Sequence, residues 1–213
     1  MEVLLAGATG LTGSALLKEL VSRPEITRIY AWGRRAPSLA NDRIVFIPMD
    51  GPLPSMPWAP DRAFCCLGTT LRVAGSKEAF REVDVRMVER FAQLAKQAAV
   101  RCFVLQSSVG ARPGRNFYLQ CKYEAEAACA KLGFKRMVVV RPSILLGGRS
   151  ERRIGEFIGI GFARIFAFII PKRYKAIAAT DVARAMWRLS QEQTQELCIA
   201  ESEMLADLSK SLR

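Results

Sequence analysis

Tyr118 and Lys122 stand four residues apart in NFYLQCK, ten positions after the hydroxyl pair Ser107 and Ser108 in VLQSSVGA. On a helix that spacing puts the phenol and the ammonium on one face, where the positive charge favours the ionised phenol and eases proton transfer at neutral pH. The chemistry such a pair suits is general acid catalysis, a proton donated to a carbonyl as it receives hydride. Ser108, or its neighbour Ser107, can polarise the same carbonyl from the end of a strand. A bare YxxxK also serves as a packing pair, so its company decides. Cys121 lies between the two residues, either as a thiol activated by local positive charge or as a small buried filler.

That company begins at residue 7. GATGLTG follows the apolar run Val3 to Ala6 and opens a helical pattern, which is the context of a dinucleotide-binding turn. Gly7 allows the tight turn, Gly10 lets the backbone approach a pyrophosphate, and Gly13 lets the first helix pack closely on the sheet. The helix N-terminus then offers unpaired N–H groups to phosphate. The next strand ends in YAWGRR, where an NAD-preferring fold places a carboxylate for the ribose hydroxyls. Arg34 and Arg35 suit a 2′-phosphate instead, which favours NADP(H); the alternative is a solvated basic turn. Asp50, closing the third strand in IPMD, either accepts from an adenine amino group or serves the turn.

Periodicity supplies the elements that must hold these residues. Short β-rich runs at Glu2–Ala6, Arg28–Trp32, Ile44–Pro48, Arg62–Leu67, Cys102–Ser107 and Arg136–Arg141 alternate with amphipathic stretches, the signature of βαβ units. Helices are expected at Leu11–Ser22, Lys77–Ala98, Asn116–Leu132, Arg152–Phe168 and Thr180–Ser190. The Pro-rich stretch 48–60 replaces a helix. The expected architecture is α/β, a Rossmann-type doubly wound and mainly parallel sheet with helices on both faces and a small C-terminal extension. One domain spans 1–213, residues 150–213 contributing the substrate side.

Composition narrows the classes. The chain has 213 residues, 50% of them hydrophobic, enough for a sizeable core but hardly for two domains. It contains no histidine, and its six cysteines form no CxxC pair, which disfavours zinc sites and His-dependent triads. A reduced, cytoplasmic chain without secretory signal or metal fits best. A net charge of +12 favours anionic partners without choosing among them. No RRM, KH or zinc-finger pattern accompanies the charge, so no specific nucleic acid is expected. The apolar stretch 154–171 is slightly short for a membrane span and reads as a helix packed over the active site or in a subunit contact, so a homodimer or protein partner is possible.

With CLGTT (66–70), EAFREVD (78–84), QSSVGA (106–111), NFYLQCK (116–122) and RPSILLGGR (141–149), most of the chain resembles the atypical short-chain dehydrogenase/reductases, and among them the HIV Tat-interacting oxidoreductase family and its bacterial relatives. The resemblance implies a Rossmann fold binding NADP(H), with Tyr118 and Lys122 in the catalytic positions and Ser107 or Ser108 as the serine. It further implies that Gly7, Thr9, Gly10, Leu11, Thr12, Arg34, Arg35, Leu67, Gly68 and Thr69 line the cofactor, and that Arg141, Pro142, Ser143 and Ile144 approach its nicotinamide end. Asp84 stands where many of these reductases carry an asparagine. The short C-terminal region fits a small carbonyl or alcohol substrate. The alternative is a non-catalytic NADP(H)-binding regulator.

Overall fold

The computed structural model describes residues 1–50, 58–147, 171–192 and 196–210. The sequence-predicted helix Arg152–Phe168 and the apolar stretch 154–171 lie almost wholly outside them. Strands β1 (Glu2–Ala6), β2 (Arg28–Gly33), β3 (Ile44–Pro48), β4 (Arg62–Cys65), β5 (Cys102–Gln106), β6 (Arg136–Arg141) and β9 (Leu197–Glu201) form one sheet in the order β3-β2-β1-β4-β5-β6-β9. Every pairing in it is parallel. Two further strands, β7 (Leu145–Leu146) and β8 (Ile177–Ala178), pair with each other.

Strand alternation divides the apolar residues between two layers. Val3 and Leu5 of β1, Val104 of β5 and Val138 of β6 face one layer with Leu16, Leu20, Val182 and Met186. Leu4 and Ala6, Phe103, Met137 and Val139 face the other, with Phe91, Ala92 and Ala95. Strands apolar on both faces need cover on both. Helix α1 (Leu11–Val21) and α6 (Ala179–Gln191) cover the first face, and α4 (Met87–Gln97) and α5 (Phe117–Ala130) the second.

The long helix expected over Lys77–Ala98 is three segments. Helix α3 (Lys77–Arg81) is capped by Ser76, whose hydroxyl accepts from the Ala79 N–H at 3.0 Å. A π turn at Glu82–Arg86 then leads into α4. Short α2 (Leu71–Ala74), strands β7 to β9 and the final helix α7 (Ser202–Lys210) were not expected from the sequence. Strand β9 escaped because Leu197 and Ile199 are exposed at the sheet edge, which leaves little buried pattern to read.

The first crossover depends on close approach. Gly7 has φ +80°, and a Cβ there would lie 2.5 Å from the Cys66 carbonyl oxygen; one on Gly13 would lie 2.0 Å from that of Gly7. A Cβ on Gly10 meets only Gly7 O, at 3.3 Å. Gly13→Ala should therefore destabilise the protein by about 3 kcal/mol, the cost of overpacking a tight contact, while Gly10→Ala should cost under about 1 kcal/mol. Urea unfolding of the two variants checks the contrast; equal losses would mean that the helix does not pack as closely as described.

Candidate active site

The strand order reverses between β1 and β4, and the carboxyl ends of those strands open a crevice, the position where open α/β sheets take ligands. There a cleft of about 420 Å³ is lined by Gly10, Leu11, Thr12, Leu67, Gly68, Thr69, Ser107, Ser108, Tyr118, Lys122, Pro142 and Ser143. Residues predicted from three separate motifs thus share one cavity.

At one end stands the N-terminus of α1. Gly10 is its N-cap, no side chain caps it, and its first turn carries no carboxylate. The Thr12 hydroxyl beside it is buried and has no hydrogen-bond partner. Gly7, Thr9 and Gly13 shape this turn without lining the cleft.

At the other end, α5 presents Tyr118, Lys122 and Glu126 at four-residue intervals. Asn116 starts the helix, its side chain accepting from the Leu119 N–H at 3.1 Å. The Tyr118 ring packs on Phe80, centroids 5.7 Å apart, in a small cluster with Phe117, Val85 and Cys121. Cys121 is wholly buried, and burial pushes its thiol up, so it is a filler rather than an activated nucleophile.

Lys122 is the residue whose setting the sequence left undrawn. Its Nζ lies 2.7 Å from Asp84 Oδ1 and 5.9 Å from the centre of the Tyr118 ring, with the Asp84 side chain 0% exposed. The other Asp84 oxygen accepts from the Thr69 N–H at 2.8 Å, so one carboxylate fixes both the lysine and the loop behind β4. Burial pulls the ammonium down, but the charge of Asp84, the nearby Tyr118 and the hydrogen bond to Asp84 together hold it above the ordinary lysine range. Asp84 lies inside the π turn, an irregularity that often accompanies functional sites. A signal was present in the sequence: Phe80, Asp84, Val88 and Phe91 fall on one helical stripe, so a carboxylate interrupts an apolar face.

One turn further along α5, buried Glu126 accepts from the Ser107 hydroxyl and receives Arg141 through Nε at 2.9 Å and Nη2 at 2.6 Å. Arg141 Nη1 also donates to Glu201 at 3.0 Å. These hydrogen bonds to Glu126 and Glu201 raise the Arg141 guanidinium further above its already high range. Ser107 is thereby engaged, whereas the Ser108 hydroxyl makes no hydrogen bond among the described residues and faces the cleft. Arg141 and exposed Ile144 do not line the cavity, although their neighbours Pro142 and Ser143 do.

Arg34 and Asp50 meet in a second recess of about 170 Å³, lined also by Trp32, Met49, Glu82, Arg86, Met87 and Arg90. Arg90, from α4, donates to the Met49 carbonyl at 3.1 Å. Arg35 is exposed and outside this recess. Among the described residues no helix is long and apolar enough to cross a membrane, and no group of three or more His, Cys, Asp or Glu could hold a metal ion.

The fold is similar to that of solved NAD(P)-binding epimerases. Over 100% of this chain and 82% of the other, the fold is similar to MoeE5 in complex with UDP-glucose and NAD, at a TM-score of 0.69 and 16% identity. Human epimerase family protein SDR39U1 with NADPH gives 0.66 and 18%, covering 94% and 74%. No family model matches the chain. Rat protein HTATIP2 is 38% identical over 197 residues, 87% of this chain and 79% of its own length. Protein FMP52, mitochondrial, of Saccharomyces cerevisiae is 33% identical over 192 residues, 85% and 82%. The chain belongs to the family of HTATIP2 and FMP52.

Breaking a buried ion pair from one side leaves an uncompensated charge, so Asp84→Ala should cost about 3–5 kcal/mol, and the double replacement Asp84→Leu with Lys122→Met should recover much of it. Because the Lys122 ammonium is held above its ordinary value of 10.5, its stabilisation is complete below that pH and is lost as pH rises through the higher native value. Urea titrations from pH 8 to 12 should show an alkaline loss in the wild type that is smaller in the double variant. A cost below about 1 kcal/mol for Asp84→Ala would contradict the buried pair.

Proposed function

We propose that this chain is an NADP(H)-dependent oxidoreductase acting on a small carbonyl or alcohol compound. The observation that carries the reading is the position of Tyr118, in the same cleft as the uncapped α1 and beside an ammonium held by Asp84. The residues fit a nicotinamide dinucleotide. Unpaired N–H groups and the unpartnered Thr12 hydroxyl suit a pyrophosphate, and Gly10 leaves room for its approach. Arg34, with Arg86 and Arg90 around the smaller recess, suits the adenosine 2′-phosphate, and Asp50 the adenine amino group.

When bound, the nicotinamide supplies or takes the hydride. The chain's own part is the proton. Tyr118 Oη donates it to the substrate oxygen, and Ser108 donates a hydrogen bond to the same atom. Lys122 keeps a positive charge beside the phenolate that remains, with one donor committed to Asp84 and two left for the phenol and a ribose hydroxyl. Ser107 shapes the strand end through Glu126 and takes no proton. The solved structures of similar fold, MoeE5 and SDR39U1, hold NAD and NADPH respectively, in keeping with a dinucleotide here.

Tyr118→Phe retains the ring on Phe80 and removes only the transferable proton. Turnover of a true substrate should fall by roughly 10²–10⁴ with NADPH affinity unchanged. Full turnover in that variant would refute the assignment. Tight NADPH binding that no carbonyl compound ever oxidises would favour the regulatory alternative.

Arg34→Ala should weaken NADPH by about 1.5–3 kcal/mol, the scale of a hydrogen bond to a charged group, and leave NADH unchanged. Arg35→Ala should matter less, since Arg35 lies outside the recess. Calorimetric titration of both cofactors decides, and equal losses for the two would remove the 2′-phosphate from the argument.

A further inference from the structure

The connections that border the substrate end of the cleft carry only cationic charge. Residues 66–76, 107–116, 142–147 and 171–176 contain no Asp or Glu at all. They do contain Arg72, Arg112, Arg115, Arg173 and Lys175, all exposed, and none of these has a carboxylate partner within salt-bridge distance among the described residues. Some cations elsewhere do have carboxylate partners: Arg86 has Glu78 and Glu82, Arg81 has Glu124, and Arg101 has Asp61. Three carboxylates behind this edge are already engaged: Asp84 by Lys122 and the Thr69 N–H, and Glu126 and Glu201 by Arg141.

The same connections carry exposed apolar side chains. Five of the nine large apolar residues left exposed among the described residues, Leu11, Leu71, Val73, Ile144 and Tyr174, belong to this rim or to the first turn of α1 facing it. Val73 is 74% exposed although it lines the cleft, and Leu11, 38% exposed, lines it too. The Lys175 connection is tied to the cavity wall, since the Ser143 hydroxyl donates to the Lys175 carbonyl. The Arg112 and Arg115 connection runs between Ser108 and Tyr118 themselves. Apolar surface next to unneutralised cations, at the mouth of a cleft, is complementary to a molecule with an apolar body and an anionic group.

We infer that the substrate of this cleft is an amphiphilic anion, an apolar chain or ring system carrying a carboxylate or phosphate, whose body lies on Leu11, Leu71 and Val73 and whose charge is met by Arg112, Arg115 and Lys175. The inference rests on the reading of the cleft as the reaction site. The cations are placed to hold the charged group outside the cleft, so that the reacting oxygen reaches Tyr118.

The probe is decyl phosphate below its micelle concentration, titrated calorimetrically into the full chain saturated with NADPH, with decanol and inorganic phosphate as controls. Decyl phosphate should bind alongside NADPH, and more tightly than either control. Arg112→Glu with Arg115→Glu should weaken it by about tenfold or more, the scale of one charge-assisted contact, without moving decanol. Val73→Ser should weaken decyl phosphate and decanol alike, by about three- to tenfold. NADPH affinity is measured for each variant first, and the probe is then titrated at an NADPH concentration that saturates that variant.

Failure of NADPH itself to bind would overturn the cofactor reading; NADPH binding without decyl phosphate binding, or with insensitivity to the paired glutamates, would overturn this inference alone. Displacement of NADPH by decyl phosphate would do the same, because the probe would then be in the phosphate site at α1. Anionic phosphatidylglycerol vesicles form the last arm: if they retain the protein through Arg112 and Arg115 while monomeric decyl phosphate does not bind, the rim serves a membrane surface and the substrate assignment is wrong.

Discussion

A single buried ion pair connects α5, the π turn and the loop behind β4 at the wall of the cleft. Lys122 on α5 and Asp84 in the π turn meet at 2.7 Å, with the carboxylate wholly excluded from solvent. Two charges taken out of water are costly, and their attraction offsets that cost only when the geometry is close and the remaining donors and acceptors are satisfied. Here the second carboxylate oxygen binds the Thr69 N–H, which ties the pair to the wall of the cleft. Packed apolar residues could hold α5 against α4 as well. They could not keep an ammonium beside Tyr118.

The face of α5 divides its labour by turn. Tyr118 is open to the cleft, Lys122 is anchored sideways to Asp84, and Glu126 gathers Ser107 and Arg141 behind the strand ends. Arg141 in turn reaches Glu201 at the end of β9, and the Ser143 N–H donates to the Ser202 hydroxyl at the start of α7. The sheet edge farthest from α1 is thereby linked to the wall of the cleft through short, charge-assisted contacts, which are stronger than neutral ones. Such a network favours a fixed site over an adaptable one.

Much of the fold was legible because a parallel sheet buries both faces of its strands. β1, β3 and β6 lie where the apolar runs begin and end, and α1, α5 and α6 agree with their periodicity to within one or two residues. The helix at Lys77 was legible as a helix but not as one interrupted by a π turn, since an extra residue in one turn leaves only a slight phase shift in a pattern of period 3.6. Strand β9 is half exposed, and nothing local distinguishes it from a loop.

The sequence by itself determined the glycine-rich turn between β1 and α1, the phenol and lysine on one helix face, and the basic end of β2. Each depends on neighbours within a few residues, and local spacing is what a sequence records. Only the tertiary structure decided that Asp84 is the partner of Lys122, 38 positions away, that Ser107 belongs to Glu126 while Ser108 remains for the cleft, and that Arg141 turns from the cavity to two carboxylates. Those choices follow from which helix packs on which face of the sheet. A buried charge must find whatever opposite charge the packing brings within reach, and no spacing along the chain states what that will be.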